Sequence, residues 1–129
     1  MLLDTAYLID LMNGDDAAVE KARKLERDLV QQRLSAMTLF ELSYGIGRAA
    51  QSEAEREQVE AVLSSKPIQP ADTAVMRKAG RLAGELATAG TPVGDGDVII
   101  AATAAVVDEP VLTRNATDFE RLSVDIETY

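Results

Sequence analysis

Short runs rich in apolar residues alternate with longer segments of helical periodicity along this chain. Residues 1–3, 34–36 and 111–113 are such runs, and the first of them stops at Asp4. Between the runs, apolar side chains recur at intervals of three and four, which is the spacing of an amphipathic helix. Parallel strands need long crossover connections, so brief strands separated by helices favour a parallel sheet. We therefore predict an α/β fold with short strands.

The remaining elements are predicted from caps, breakers and apolar stripes. We expect helices over residues 5–13, 15–32, 38–50, 52–63, 72–89 and 98–107, with Thr38 capping the third and Gly90 ending the fifth. Residues 94–97 are predicted as a loop, residues 66–70 as no more than an edge strand, and residues 123–127 as a last strand. The expected inward stripes are Val19, Ala22, Leu25 and Leu29 on the second helix, and Leu39, Leu42, Ile46 and Ala49 on the third. Because no repeat or linker interrupts residues 1–129, we expect one domain.

Two absences narrow the possible chemistry. The 129 residues include neither His nor Cys, which excludes a Ser-His-Asp triad, a cysteine nucleophile, an ordinary zinc site and a disulfide framework. Any catalysis must use carboxylates, hydroxyls, Lys or Arg, or a hard metal ion held by oxygen ligands.

Net charge and hydropathy bear on location and partners. The chain has 13 basic and 22 acidic residues, a formal charge of −9, which argues against simple electrostatic attraction to nucleic acid or an anionic membrane. No apolar stretch reaches the length of a membrane span and no secretory signal is recognisable, so we expect a cytoplasmic protein with no membrane partner. The acidic, lysine-poor composition fits either a high-salt cytoplasm or compositional drift.

Several acidic or amide side chains fall where strands end and helices begin. These residues are Asp4, Glu41, Asp97, Asn115 and Asp118. In a parallel sheet such positions lie along one edge, so the side chains can converge. Clustered carboxylates raise one another's pKa unless a cation lies among them, and oxygen ligands select Mg²⁺ or Mn²⁺. The corresponding chemistry is metal-assisted attack of water on a phosphodiester.

Each of these acids also has a structural alternative. Asp4 can cap the first helix, and Asp97 or Asp95 can cap the Ala-rich helix. Glu41 can favour the dipole of a first helical turn, and Asp118 can be a turn or cap residue. The other acids are interpreted as solvated helix faces and ends without function, namely Asp10, Asp15, Asp16, Asp28, Glu53, Glu55, Glu57 and Glu60.

Four stretches resemble, in order and spacing, the motifs of PIN-domain nucleases. They are MLLDTAYLI at residues 1–9, TLFELSYG at 38–45, DVIIAAT at 97–103, and LTRN at 112–115 followed by Asp118 and Phe119. The resemblance covers essentially the whole chain and is strongest to the VapC-type toxins of toxin–antitoxin pairs. It implies a three-layer α/β/α sandwich around four or five short parallel strands, and an Mg²⁺- or Mn²⁺-dependent endoribonuclease inhibited by a cognate antitoxin.

Carried over position by position, the resemblance also assigns roles. Asp4, Glu41 and Asp97 become the catalytic and metal-binding acids, and Asn115 occupies the fourth acidic position of the wider family. Asp118 is a further candidate ligand. A second departure is Ala6, where the family often has Ser or Asn.

The mechanism that follows uses one metal ion held by Asp4 and Asp97 and a water molecule held by Glu41. Because metal-activated water does not need the 2′-hydroxyl, the products would be a 5′-phosphate and a 3′-hydroxyl. Thr113 and Asn115 are expected to hydrogen-bond the phosphate or the ligand waters. Arg48 and Arg114 are candidates for contact with the RNA backbone, although either is equally compatible with an ordinary surface position.

Competing functions and partners remain open at this stage. A receiver domain is disfavoured because no acidic doublet follows the first strand and the last lysine is Lys78. A PIN-like RNA-processing enzyme or a non-catalytic RNA- or protein-binding module remains possible. We expect an arginine of the antitoxin to enter the acidic crevice. The apolar residues Leu39, Phe40, Tyr44 and Ile46 of the third helix fit a homodimer contact or core packing.

Overall fold

The computed structural model describes residues 1–48 and 50–129, so the predicted inward position of Ala49 lies outside the described residues. The strands are β1 (Leu2–Leu3), β2 (Arg33–Ser35), β3 (Ile68–Gln69), β4 (Val111–Leu112) and β5 (Ile126–Glu127). The helices are α1 (Thr5–Met12), α2 (Asp16–Arg27), α3 (Ala36–Arg48), α4 (Glu53–Ser65), α5 (Thr73–Thr88), α6 (Asp95–Val107) and α7 (Ala116–Glu120).

The strands form one parallel sheet, as predicted, and lie in the order β3-β2-β1-β4-β5. Leu2 of β1 is in register with Arg33 on one side and Val111 on the other. The chain builds outward from β1 to β3, then returns to place β4 and β5 on the opposite side of β1. This reversal opens a crevice at the carboxyl ends of β1 and β4, where sheets of this type bind ligands.

Successive residues of the central strands point to opposite faces of the sheet and build two cores. Leu2 and Val111 pack with α5, α6 and α7 through Val75, Ala79, Val98, Ile100 and Phe119. Leu3 and Leu112 pack with α1 to α4 through Tyr7, Leu8, Ala18, Leu25, Leu42, Val59 and Leu63. With helices covering both faces of the sheet, the molecule has the predicted three-layer α/β/α architecture.

The predicted end of the second helix is wrong. The helix ends at Arg27 rather than near residue 32, because Leu29 adopts a left-handed conformation with φ of 54°. The Leu29 N–H donates to the Glu26 carbonyl and the Val30 N–H donates to the Leu25 carbonyl, which is the pattern of a Schellman motif. Leu29 is 89% exposed and therefore does not belong to the inward stripe.

Two predicted helix starts are also wrong. Helix α3 begins at Ala36 rather than Thr38, because the Ser35 hydroxyl accepts the Thr38 N–H at 3.0 Å and so satisfies the first turn. Leu39 then lies on the exposed side of α3, whereas Leu42 is buried as predicted. Helix α6 begins at Asp95, so the expected loop over residues 94–97 is mostly helix.

None of the helices in residues 1–48 and 50–129 combines the length and the apolar character needed to cross a membrane.

Candidate active site

Asp4 stands directly after β1 at the central crevice of the sheet. It occupies the N-cap position of α1, yet its side chain makes no capping hydrogen bond, so the structural alternative of a simple cap is wrong. Its Oδ2 instead accepts a hydrogen bond of 2.7 Å from Thr113 Oγ1, which follows β4. The side chain is 2% exposed. The carboxylate of Asp4 is therefore held at the point where the strand order reverses.

The pKa of Asp4 is raised to about 6. Burial is the largest cause, because it disfavours the charged form, and the negative charges of Asp97 and Glu41 add to it. The hydrogen bond from Thr113 acts in the opposite direction but is outweighed. Asp4 therefore lies within the electrostatic range of both other acids that the sequence singled out.

Glu41 connects the beginnings of two other helices. Thr5 Oγ1, at the start of α1, donates to Glu41 Oε1 at 2.9 Å. Glu41 Oε2 faces Gly96 in the first turn of α6, where an added Cβ would lie 3.4 Å from it. Helix α3 begins at Ala36, which places Glu41 beyond its first turn and rules out the first-turn dipole alternative. Glu41 therefore contacts Thr5, which follows Asp4 in the chain, and faces Gly96, which precedes Asp97.

Asp97 lies half-buried in the first turn of α6, whose N-cap is Gly94 without a side-chain hydrogen bond. Neither Asp97 nor Asp95 caps this helix with its side chain, so that alternative is wrong. The pKa of Asp97 is raised, first by burial and then by the negative charges of Asp118 and Glu41. Asp118, exposed in the first turn of α7, therefore belongs to the same electrostatic cluster.

Thr113 and Asn115 occupy the loop between β4 and α7. Thr113 is fully buried, donates its hydroxyl proton to Asp4 and accepts the Asn115 N–H at 2.9 Å. The Thr113 hydroxyl therefore contacts Asp4 and is not exposed to the solvent. Asn115 is half-buried at the N-cap position of α7, and its side chain makes no capping hydrogen bond. The amide of Asn115 is consequently free to meet a ligand.

With this geometry established, comparison with known proteins decides the family. The sequence model of the PIN domain matches residues 1–124. The chain belongs to the PIN-domain family. Its four motifs thus lie in one PIN domain, with Asp4, Glu41 and Asp97 at the carboxyl edge of its sheet.

The relatives of this PIN domain include two curated ribonucleases. It is 30% identical over 121 residues to the tRNA(fMet)-specific endonuclease VapC of Shigella flexneri, covering 94% of this chain and 90% of that protein. It is 31% identical over 118 residues to Ribonuclease VapC19 of Mycobacterium tuberculosis, covering 92% and 90%. Among solved structures, the DNA-bound VapBC of Salmonella typhimurium matches with a TM-score of 0.87 and 30% identity, covering 98% of this chain and 96% of that chain.

The two arginines proposed for RNA contact differ in their surroundings. Arg48 is exposed at the last position of α3. Arg114 forms an ion pair with Asp10 of α1, and Asp10 also accepts a hydrogen bond of 2.6 Å from the Tyr129 hydroxyl. The interpretation of Asp10 as a solvated residue is wrong, since its side chain is only 16% exposed. Because Asp10 and Tyr129 are 119 positions apart, no local pattern could have revealed this contact.

A groove of about 680 Å³ opens beside Glu41. Its apolar lining comes chiefly from Ile9, Met12, Met37, Phe40 and Tyr44, and its polar lining includes Thr5 and Glu41. Phe40 and Tyr44 stack on each other and are 61% and 57% exposed. Two of the predicted apolar residues of the third helix, Phe40 and Tyr44, therefore line a groove that reaches Glu41, whereas Leu39 and Ile46 do not.

The donor chemistry of the cluster fits a hard divalent cation. All the candidate ligand atoms are carboxylate or amide oxygens, which Mg²⁺ and Mn²⁺ prefer. In residues 1–48 and 50–129, no three acidic side chains already converge on one point as in a formed metal cage. Repulsion among the acids, which adds to the larger effect of burial in raising the pKa values of Asp4 and Asp97, is nevertheless uncompensated, because none of the described ion pairs involves either acid or Glu41. A bound cation would neutralise it.

Proposed function

We propose that this PIN domain is a divalent-metal-dependent endoribonuclease of the VapC type, the toxin of a type II toxin–antitoxin pair. The observation that carries the proposal is the environment of Asp4. Its carboxylate is buried at the switch point of the sheet, and its pKa is raised to about 6 by burial and by the charges of Asp97 and Glu41. Such a cluster costs stability without a cation, so it is expected where a metal ion is used. The names of the VapC relatives support the nuclease class.

The position of each residue in the site indicates its role in binding the metal ion or the RNA. Asp4 and Asp97 would hold Mg²⁺ or Mn²⁺, with Glu41 and the more exposed Asp118 as further oxygen donors. When bound, the cation would polarise the phosphodiester and lower the pKa of a water molecule. Thr113 keeps one oxygen of Asp4 occupied, so the other remains available as a ligand. The free amide of Asn115 would donate a hydrogen bond to a phosphate oxygen.

Glu41 would orient the attacking water through its Oε2 atom, because Oε1 is occupied by Thr5. Attack in line with the leaving O3′ atom breaks the P–O3′ bond, so the 5′-phosphate remains on one fragment and a 3′-hydroxyl forms on the other. Arg48 and Arg114 are proposed to contact the RNA backbone, Arg114 at the expense of its pairing with Asp10.

The experiment that tests this function uses the purified protein after removal of metal by EDTA. We expect RNA to remain intact until Mg²⁺ or Mn²⁺ is restored, and then to be cut internally into fragments that carry 5′-phosphates. Cleavage that persists in EDTA would contradict metal dependence. RNA binding without cleavage would favour a non-catalytic module, and precise trimming of one precursor without toxicity in cells would favour an RNA-processing enzyme.

We propose that the cognate antitoxin places an arginine, flanked by apolar side chains, in the groove beside Glu41. The groove combines an apolar lining with an acidic end, which is complementary to such a segment. The matched Salmonella typhimurium structure is a VapBC complex, which supports a protein partner. Because the arginine and the metal ion would compete for the same carboxylates, raising Mg²⁺ should weaken inhibition. Inhibition that is independent of Mg²⁺ would contradict this arrangement.

Homodimerisation and a cytoplasmic location complete the proposal. Exposure of Leu39, Phe40 and Tyr44 supports a second protein surface on this face, whereas Ile46 is half-buried. Light scattering of the isolated protein should give twice the mass of one chain, and a monomer mass at high protein concentration would contradict the dimer. Cell fractionation tests the location.

A further inference from the structure

Three buried hydroxyl groups lie in a row between the end of β2 and Glu41. Ser35 and Thr38 are fully buried, and Thr5 is 8% exposed. Ser35 Oγ lies 3.2 Å from Thr38 Oγ1, Thr38 Oγ1 lies 3.0 Å from Thr5 Oγ1, and Thr5 Oγ1 lies 2.9 Å from Glu41 Oε1. The row therefore links β2 and the starts of α3 and α1 to one oxygen of Glu41.

Counting protons gives this row a single direction. Each hydroxyl has one proton, and Thr5 uses its proton in the hydrogen bond that it donates to Glu41. The hydrogen bond between Thr38 and Thr5 must then be donated by Thr38, so Thr38 accepts the hydrogen bond that Ser35 donates. Ser35 in turn accepts the Thr38 N–H at 3.0 Å. Every hydroxyl in the row donates in the direction of Glu41, and hydrogen bonds in such a chain polarise and strengthen one another.

We propose that Ser35, Thr38 and Thr5 form a hydroxyl relay that positions Glu41 for catalysis. This inference rests on the proposed function and deepens it. The relay occupies Oε1 and so fixes the rotation of the carboxylate, which leaves Oε2 directed towards Gly96 at the start of α6. Thr38 is a positioning residue, since it acts on Glu41 only through Thr5.

Gly96, which has no side chain, leaves space beside the second oxygen of Glu41. A Cβ at this position would lie 3.4 Å from Glu41 Oε2 and 3.6 Å from Met37 Cε. These are ordinary van der Waals contacts, so a methyl group would fit but would cover the free oxygen. Gly96 is helical and has no positive φ, so its backbone accepts alanine. Gly96 thus keeps Oε2 open for a water molecule or a cation.

The proposal separates positioning from stability at Thr38. The backbone N–H of Thr38 is satisfied by Ser35 Oγ rather than by its own hydroxyl, so the start of α3 does not depend on Thr38 Oγ1. Thr38→Val replaces the hydroxyl with a methyl group of the same shape and interrupts the relay in its middle. Thr38→Ser keeps the hydroxyl and is the matched control.

The test compares wild type, Thr38→Val, Thr38→Ser and Gly96→Ala. Cleavage of one defined RNA gives kcat and KM, Mn²⁺ titration of the metal-free protein followed by electron paramagnetic resonance gives affinity, and urea unfolding gives stability. Because sub-ångström to ångström misplacement costs between about 10- and 100-fold, Thr38→Val should lower kcat by roughly tenfold with KM little changed. Its Mn²⁺ affinity should fall as well, while Thr38→Ser restores both.

Gly96→Ala keeps the proposal testable if Thr38→Val unfolds. We expect it to fold at least as stably as wild type, because alanine is the better helix former, yet to lose kcat and Mn²⁺ affinity. Suppose that the wild type is active and that Thr38→Val and Gly96→Ala both keep its kcat and Mn²⁺ affinity. That result would overturn the relay but not the proposed function. A wild type that neither cleaves RNA nor binds Mn²⁺ would overturn the proposed function, and the relay with it.

Discussion

At the scale of single residues, the buried charge of Asp4 lowers the stability of the fold but is needed for the proposed activity. Its carboxylate is 2% exposed and close to other acids, and Thr113 donates a side-chain hydrogen bond to it. Burial of a charge without an opposite charge costs free energy, which a packed core of this size can absorb. Removing that charge should therefore help the fold and harm the activity.

The variant Asp4→Asn tests this conflict through its pH dependence. The pKa of Asp4 is about 6 in the folded protein and 3.8 in its ordinary state, so the folded chain retains a proton that the unfolded chain has already lost between these values. Stability is therefore lost as the pH rises through this window. At pH 7.5, Asp4→Asn should raise the free energy of unfolding by about 2–3 kcal/mol in metal-free buffer. The gain should shrink towards zero at pH 4 in urea titrations.

Magnesium provides the control for the same variant. Mg²⁺ binding to the folded state should stabilise wild type and not Asp4→Asn, because ligand binding raises stability only where the site exists. Two results would contradict the electrostatic description of Asp4. One is that Asp4→Asn is no more stable than wild type at pH 7.5, and the other is that Mg²⁺ raises the free energy of unfolding of both proteins equally.

The acids of the site could be predicted from the sequence, whereas their hydrogen-bond partners could not. Asp4, Glu41 and Asp97 stand in local contexts that mark strand ends and helix starts. The partners of these acids depend on tertiary geometry, since Thr113 and Asp4 are 109 positions apart and Thr5 and Glu41 are 36 apart. Side-chain periodicity contains no information about contacts of this range.

At the scale of secondary-structure elements, two helix ends illustrate what local sequence can and cannot show. Helix α5 is followed by Gly90 with φ of 76°, and Gly90 was predicted to end it because glycine adopts this conformation without strain. Helix α2 ends in the same hydrogen-bond pattern with Leu29 at the left-handed position. A leucine with positive φ is uncommon, so its sequence favours continuation of the helix.

Replacement of this leucine should stabilise the protein. Leu29→Gly removes the strain of a left-handed side chain and loses little packing, because Leu29 is 89% exposed. We expect the free energy of unfolding to increase by about 0.5–1 kcal/mol, as measured by urea titration, with RNA cleavage unchanged. The matched control is Gly90→Ala, which has open space around it but the same positive φ and should lose about 1 kcal/mol. Destabilisation by Leu29→Gly would contradict this view of the α2 end.

The parallel α/β sheet was predictable for a different reason. The central strands β1 and β4 are buried and need only short apolar runs, and the helices between the strands fix the parallel direction. The starts of α3 and α6 were misplaced by two and three residues because Ser35 and Gly94 occupy the cap positions, whereas Thr38 and the acidic residues after Gly94 are also residue types that cap helices. Element boundaries depend on single hydrogen bonds and are correspondingly harder to predict.

At the scale of the whole molecule, the charge of −9 opposes the approach of RNA. The acidic cluster accounts for only four of the 22 acidic residues, and most of the others are exposed at the surface. Long-range repulsion should therefore slow association, while local contacts and divalent ions hold the substrate once it is bound.

Salt provides a direct test of this global field. Raising KCl from about 10 mM to about 100 mM shortens the Debye length from about 30 Å to about 10 Å and screens the repulsion. At fixed Mg²⁺, kcat/KM should therefore rise over this range and then level off. A basic nucleic-acid-binding protein shows the opposite trend, so a steep fall of kcat/KM with KCl would contradict the description.

The central claim is that Asp4, Glu41 and Asp97 form one metal-dependent site that cuts RNA. The most direct measurement maps 5′-phosphate ends across total cellular RNA treated with wild type or with Asp97→Asn, each in Mg²⁺ and each confirmed to be folded. Wild type should create a defined set of internal ends that Asp97→Asn does not create. The same ends at the same frequency in Asp97→Asn would contradict the site and the function built on it.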